Sequence, residues 1–123
     1  MSGPIRKLIG PARTRLLRCN KEADGVLVSP IHKEMMEDDE ITGERLIECM
    51  MTNISLLERC NRDWADLLKG LSGEERVMEE TEYNRVADGT EGFVEVMLNA
   101  SEAIAQLRVR LTRIAKGRRK RMG

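Results

Sequence analysis

The side chains best placed to do chemistry are basic, and they gather at the two ends of the chain. Lys116-Gly117-Arg118-Arg119-Lys120-Arg121 is the denser group, and Arg13, Arg15 and Arg18 form a looser one near the start. Guanidinium and ammonium groups at this density suit phosphate oxygens or the acidic groove of an import receptor. The competing reading is a solvated helix end whose cations favour the negative pole of the helix dipole. That effect fades within one turn, so six residues are more than capping alone requires. Aromatic residues do not interleave with the cations, which argues against stacking on single-stranded bases.

Nothing in the chain is spaced for catalysis. No serine or cysteine is matched to a histidine, no carboxylate pair suggests a cleft, and no glycine-rich phosphate loop occurs. The neighbours Glu79, Glu80 and Glu82 read as a solvated helix face. Cys19, Cys49 and Cys60 are odd in number, widely spaced and without a CxxC pair, and His32 is the only histidine. A structural zinc site is therefore not expected. Cys49 and Cys60 sit one residue before Met50 and Asn61 and read as small hydrophobes flanking a buried seam. His32, alone in a connector, reads as a surface residue. The expectation is a protein with no enzymatic activity, no cofactor, no metal and no small-molecule substrate.

Composition points the same way. Aromatic residues make up 2% of the 123 positions and charged residues 34%. Helices with a narrow buried seam and two wet flanks account for both figures. The net charge of zero hides segregation: residues 1–21 carry six bases and no acid, residues 108–123 eight bases and no acid. The middle, 22–107, holds all 21 acids against seven bases. Charge asymmetry of this kind bears on partners rather than on fold. The basic start lacks the apolar run of a signal peptide, and no stretch approaches the roughly 20 apolar residues of a membrane span. Position two is serine, not the glycine that myristoylation requires. An intracellular location, cytoplasmic or nuclear, is the default, with no membrane partner.

The elements that must position these groups are helices. Apolar residues at Ile47, Met50, Ile54, Leu57, Trp64, Leu68 and Leu71 alternate three and four apart, interrupted only by Asn61. The same alternation runs through Tyr83, Val86, Thr90, Phe93, Met97, Ala100, Ile104, Leu107, Leu111 and Ile114. Such stripes are buried by supercoiling helices. The expected fold is all-α: an elongated antiparallel helical hairpin with a shorter N-terminal helix, an open three-helix bundle with coiled-coil character. Residues 1–28 form the basic N-terminal segment, 29–40 an acidic connector, 41–116 the long hairpin and 117–123 a basic tail. Gly10-Pro11 should start or kink the first helix, placing it from Pro11 to about Val28. Glu37-Asp38-Asp39-Glu40 reads as a solvated loop and helix N-terminus. The second helix is expected from Ile41, or from Asp38 or Asp39, to Leu71. Ser72 and Glu75 should form a capping box for the third. That third helix should run on to about Lys116, softened by glycines at Asp88-Gly89-Thr90-Glu91-Gly92 but continuous.

A short turn at Ser72-Gly73 sets the register. It places Trp64 opposite Tyr83, Ile54 opposite Phe93, Met50 opposite Met97 and Ile47 opposite Ala100. Leu68 would face Glu79, so a slip using Met78 is expected near the turn. Beyond Ile104 the third helix outruns its partner, leaving Leu107, Leu111 and Ile114 for the first helix or a second chain to cover. Both are expected, with Asn61 fixing register and oligomeric state as buried asparagines do in coiled coils. Self-association therefore follows from Asn61, Leu107, Leu111 and Ile114. The hairpin should also gather both basic ends at one pole, with Glu37 to Glu40 beside them. Weak, sequence-independent and salt-sensitive binding of nucleic acid is the corresponding expectation.

The segments Ile5-Arg6-Lys7-Leu8-Ile9-Gly10 and Arg13-Thr14-Arg15-Leu16 precede an acidic connector and a long helical pair. In this the chain resembles the N-terminal gag-like region of Pao-type (BEL) LTR retrotransposon polyproteins, particularly nematode ones. The resemblance covers most of residues 5–114 and rests on helical texture more than on signature motifs. It implies a helical segment of the kind that precedes the capsid-like part, protease and reverse transcriptase. Protease and polymerase motifs are absent, and the proline-containing segment usual in that family is replaced by Arg-Lys-Arg-Met-Gly. The resemblance thus implies a fragment or a domesticated remnant, and it transfers no catalytic residue. The function expected is interaction and assembly; the alternative is a small nucleic-acid-associated regulator working through its basic ends.

Overall fold

The computed structural model describes residues 1–122, with side chains for residues 1–119. Four α-helices follow one another: α1 (Gly3–Val28), α2 (Met36–Lys69), α3 (Gly73–Ala87) and α4 (Phe93–Met122). A single 3₁₀ turn at Lys33–Met35 leads into α2. α1, α2 and α4 each pack against the other two, so the body is a three-helix bundle, while α3 packs on α2 and α4. The fold is all-α, as the periodicity requires.

The buried seam is built from one stripe per helix. α1 contributes Ile9, Ala12, Leu16, Cys19 and Ala23. α2 contributes Leu46, Met50, Leu57, Cys60 and Trp64, and α4 adds Phe93, Val96, Ala100, Ile104 and Leu107. Small residues on α1 and α4 alternate with larger ones, which lets helices with few rings still close on one another.

Two helix starts and one cap depart from expectation. α1 begins at Gly3, with Pro4 in its first turn, and continues through Pro11 without ending. Pro11 and Lys7 are both exposed, so the Lys7 carbonyl deprived of its helical donor can turn to water. α2 starts at Met36, taking most of the acidic connector into the helix with Glu37, Asp38 and Asp39 in its first turn. Those acids oppose the positive helix pole. Ser72 stands at the N-cap of α3 in an extended conformation but its side chain makes no capping bond, so the capping box does not form.

The largest correction is at 88–92. The expected continuous third helix is two helices, with the chain folded back between them. Gly89 has φ +95°, a conformation open to glycine. A Cβ on Gly92 would lie 2.2 Å from the Ala87 carbonyl oxygen, so no side chain fits there. Asp88 N–H donates back to the Asn84 carbonyl and Val96 N–H to the Gly92 carbonyl, closing one helix and opening the next.

This fold-back changes the register. On the near side Trp64 and Tyr83 meet edge to face, 5.2 Å between centroids, as expected. Trp64 Nε1 donates to Glu79 at 3.1 Å, and Met78 is 72% exposed rather than taken into the seam. On the far side Gly43 meets Leu111, with a would-be Cβ 3.0 Å from Leu111 Cδ2, where the expected register places Ile104. The slide is seven positions, about two helical turns. Ile54, expected opposite Phe93, lies beside Ser101 and Ile104; Phe93 meets Tyr83 edge to face at 6.1 Å.

Candidate interaction surfaces

The expectation that both basic ends share one pole is overturned. α1 and α4 run parallel: Arg6 pairs with Glu82 at 3.2 Å, Asn20 Nδ2 donates to the Val96 carbonyl, and Arg110 donates to the Ser29 carbonyl. The start of α1 therefore lies by the α3–α4 junction, and the end of α4 lies beyond the end of α1. At about 1.5 Å per residue, the 26 residues of α1 separate the poles by roughly 39 Å.

The N-terminal cations are largely engaged. Arg13 donates to the Glu91 carbonyl at 3.0 Å, and Arg15 Nε donates to Asn53 Oδ1 at 2.9 Å. Arg18 is exposed. At the other pole Arg118 pairs with Glu40 at 2.8 Å, and that hydrogen bond raises the guanidinium pKa above its ordinary value. Lys116 and Arg119 are exposed; the side chains of Lys120 and Arg121 lie outside the described residues. The acidic run thus does turn towards the C-terminal cations, through Asp39 and Glu40.

Arg110, one of the eight bases of residues 108–123, is not a solvated cation of the basic end but is buried at 7% exposure. It donates to the Ser29 carbonyl at 2.8 Å and to Asp39 at 3.1 Å, tying the α1–α2 connection to α4. A charged residue between core positions Leu107 and Ile114 was the available signal.

The residues expected to drive self-association are not available for it. Leu107 and Ile114 are fully buried within the single chain. Leu111 is half-buried and packs on Gly43. The earlier start of α2 and the seven-residue slide extend the cover, so that even Met36 reaches Gly117. Asn61 is half-buried and accepts from the Tyr83 hydroxyl at 2.5 Å, a bond within the chain. The asparagine in the seam is Asn53, 4% exposed. Its Nδ2 donates to the Cys49 carbonyl at 2.8 Å while Arg15 donates to its oxygen.

The faces left open are apolar patches and shallow grooves. Leu98 is 61% and Val109 52% exposed on α4. Ala105 lies exposed between them, and half-buried Val94, which also packs against the core, continues the row towards the helix start. Grooves flank this row, one against α1 lined by Leu17, Asn20 and Gln106, another against α2 lined by Met51, Ile54 and Arg108. No group of three His, Cys, Asp or Glu among the described residues is placed to hold a metal ion. No helix among them is long and apolar enough to cross a membrane. Comparison with protein-family models, curated proteins and solved structures finds no match to the chain.

Proposed function

We propose that the protein is a non-enzymatic helical module for interaction and assembly, and that its first partner is a second copy of itself through the outer face of α4. The observation that carries this is the exposed row Leu98, Ala105 and Val109, spaced at seven and four residues on the side of α4 away from the core and continued by half-buried Val94. A two-fold antiparallel pairing of two α4 helices would set Leu98 against Ala105 and Val94 against Val109. Antiparallel packing of this kind needs the small Ala105 opposite the large Leu98, as knobs need holes. Sedimentation equilibrium at micromolar concentration should give a dimer. Leu98→Lys with Val109→Lys should give a folded monomer, whereas Leu107→Lys should unfold the bundle. A wild-type chain that stays monomeric across that range would overturn the reading.

The gag-like resemblance supports the same proposal in a narrower form, a helical segment derived from a retrotransposon polyprotein. A protease and polymerase reading frame downstream in the genome is the observation that tests it.

A second reading, weak nucleic-acid binding, rests on Arg113, Lys116 and Arg119, exposed at three-residue spacing near the end of α4. Because Glu40 occupies Arg118, replacing Glu37 to Glu40 by their amides should raise affinity for RNA or duplex DNA at low salt. Added salt should abolish it. No binding at low salt would end this reading.

A further inference from the structure

Cys19 of α1 and Cys49 of α2 bring their sulfurs to 3.0 Å of each other. Both are free thiols. A disulfide has its sulfurs about 2.05 Å apart, so roughly 1 Å of approach separates this pair from a bond. The closeness is held on both sides. One turn towards the start of α1, Arg15 Nε donates to Asn53 Oδ1 at 2.9 Å. One turn the other way, Arg45 pairs with Glu22. The pairs 15–53, 19–49 and 22–45 form one antiparallel ladder across the α1–α2 seam, with the sulfurs on its middle rung.

We propose that Cys19 and Cys49 form a redox-modification site, a dithiol that a peroxide or a low-molecular-mass disulfide oxidises to a covalent α1–α2 bridge. This stands apart from the assembly surface, which lies on α4.

The two thiols have different surroundings and so different roles. Cys49 is the more accessible of the two, and Asn53 Nδ2 approaches its sulfur at 3.6 Å. An oxidant therefore reaches the Cys49 sulfur first, and attack proceeds from its thiolate as for any cysteine. Cys19 is 7% exposed. Burial first, and then the hydrogen bond with Cys49, push its thiol up to about 12, so it keeps its proton until the second step. With peroxide, the Cys49 thiolate attacks one oxygen; an S–O bond forms, the O–O bond breaks, and hydroxide leaves to take a proton as water. The Cys19 sulfur then attacks the Cys49 sulfur; the S–S bond forms, the S–O bond breaks, and the hydroxyl departs as water with the proton from Cys19. Two electrons pass from the thiol pair to the peroxide. With a low-molecular-mass disulfide as oxidant, two exchange steps give the same bridge and two small thiols.

Intact mass and non-reducing peptide mapping of the full chain after one equivalent of hydrogen peroxide, or of oxidised glutathione, test this. The expected result is a monomer lighter by two hydrogens, with the peptide of Cys19 joined to that of Cys49 and Cys60 free. The oxidised chain should melt roughly 10 °C above the reduced one, since the bridge restricts the unfolded state. Cys60→Ala should leave the product unchanged, and Cys49→Ala should abolish it. A chain that keeps its mass, joins Cys60 instead, or links only to other chains overturns the proposal. The wild-type map decides this even if a variant fails to fold.

Discussion

α3 and α4 carry the same heptad stripe and live in different surroundings. α4 buries Phe93, Val96, Ala100, Ala103, Ile104, Leu107 and Ile114 between two other helices. α3 buries only Ala87, and its Val77 and Met78 stand 62% and 72% exposed. The lesson is that a periodic stripe states which face a helix could bury, while helix neighbours decide whether it does. α4 has α1 on one side and α2 on the other. α3 has the last turns of α2, where Trp64 donates to Glu79, the start of α4, where Phe93 meets Tyr83, and one exposed pair to α1, Arg6–Glu82.

The largest loss should come where the two helices join. Phe93, fully buried and edge to face with Tyr83, should cost about 3–5 kcal/mol when replaced by alanine. Total stabilities are only about 5–15 kcal/mol, so urea denaturation of Phe93→Ala should show a broad or absent transition. A loss below about 1 kcal/mol would mean that α4 does not begin in the core.

Next is the polar tie of α4. Asp39→Ala leaves the Arg110 side chain, 9% exposed, donating to the neutral Ser29 carbonyl without the carboxylate that balances its charge. The expected cost is about 2 kcal/mol, below that of a fully buried pair because Asp39 is partly wet. Adding Arg110→Met should recover much of it, since an apolar side chain removes the stranded charge. A double variant no more stable than Asp39→Ala would mean that Arg110 matters through something other than this pair.

α3 should respond least. Val77→Ala with Met78→Ala should change the unfolding free energy by no more than about 0.5 kcal/mol, as exposed substitutions do. Its pH response has a definite sign. The Arg85 hydrogen bond, aided by the charges of Arg85 and Arg6, holds the Glu82 carboxyl below the ordinary carboxylate value. A depressed folded value stabilises the protein above the unfolded value of about 4.3 and is lost as pH falls through the folded one. Glu82→Gln should flatten the acid limb slightly and leave stability at pH 7 nearly unchanged; a large loss at neutral pH would show α3 to be more tightly docked than its exposure indicates.

The pattern of legible and illegible features follows from what periodicity measures. The Trp64–Tyr83 contact was readable because a turn as short as Ser72-Gly73 leaves little freedom in what faces what. The break at 88–92 was hidden because Val86, Thr90 and Phe93 stay in phase by residue count while the backbone between them turns back. Missing the break misplaced everything after it by seven positions, and so left Leu107 and Ile114 looking uncovered. Arg110 was hidden by its charge, which suits surface and basic tail better than seam. The meeting of Cys19 with Cys49 depends on α1–α2 register, which Pro11 obscured by suggesting a late helix start.

The three-helix cover of α4 depends on α3 and α4 being separate helices joined by a fold-back, because that shift completes it. The stability of Gly92→Ala, measured by urea denaturation, tests it by sign. If the helix were continuous, alanine would replace an interior glycine and stabilise the chain by about 1 kcal/mol. With Gly92 packed against the Ala87 and Asp88 carbonyls, 2.2 and 2.4 Å from a would-be Cβ, the account predicts a loss of about 3 kcal/mol, at the upper end of the cost of overpacking. A stabilised Gly92→Ala chain would contradict it.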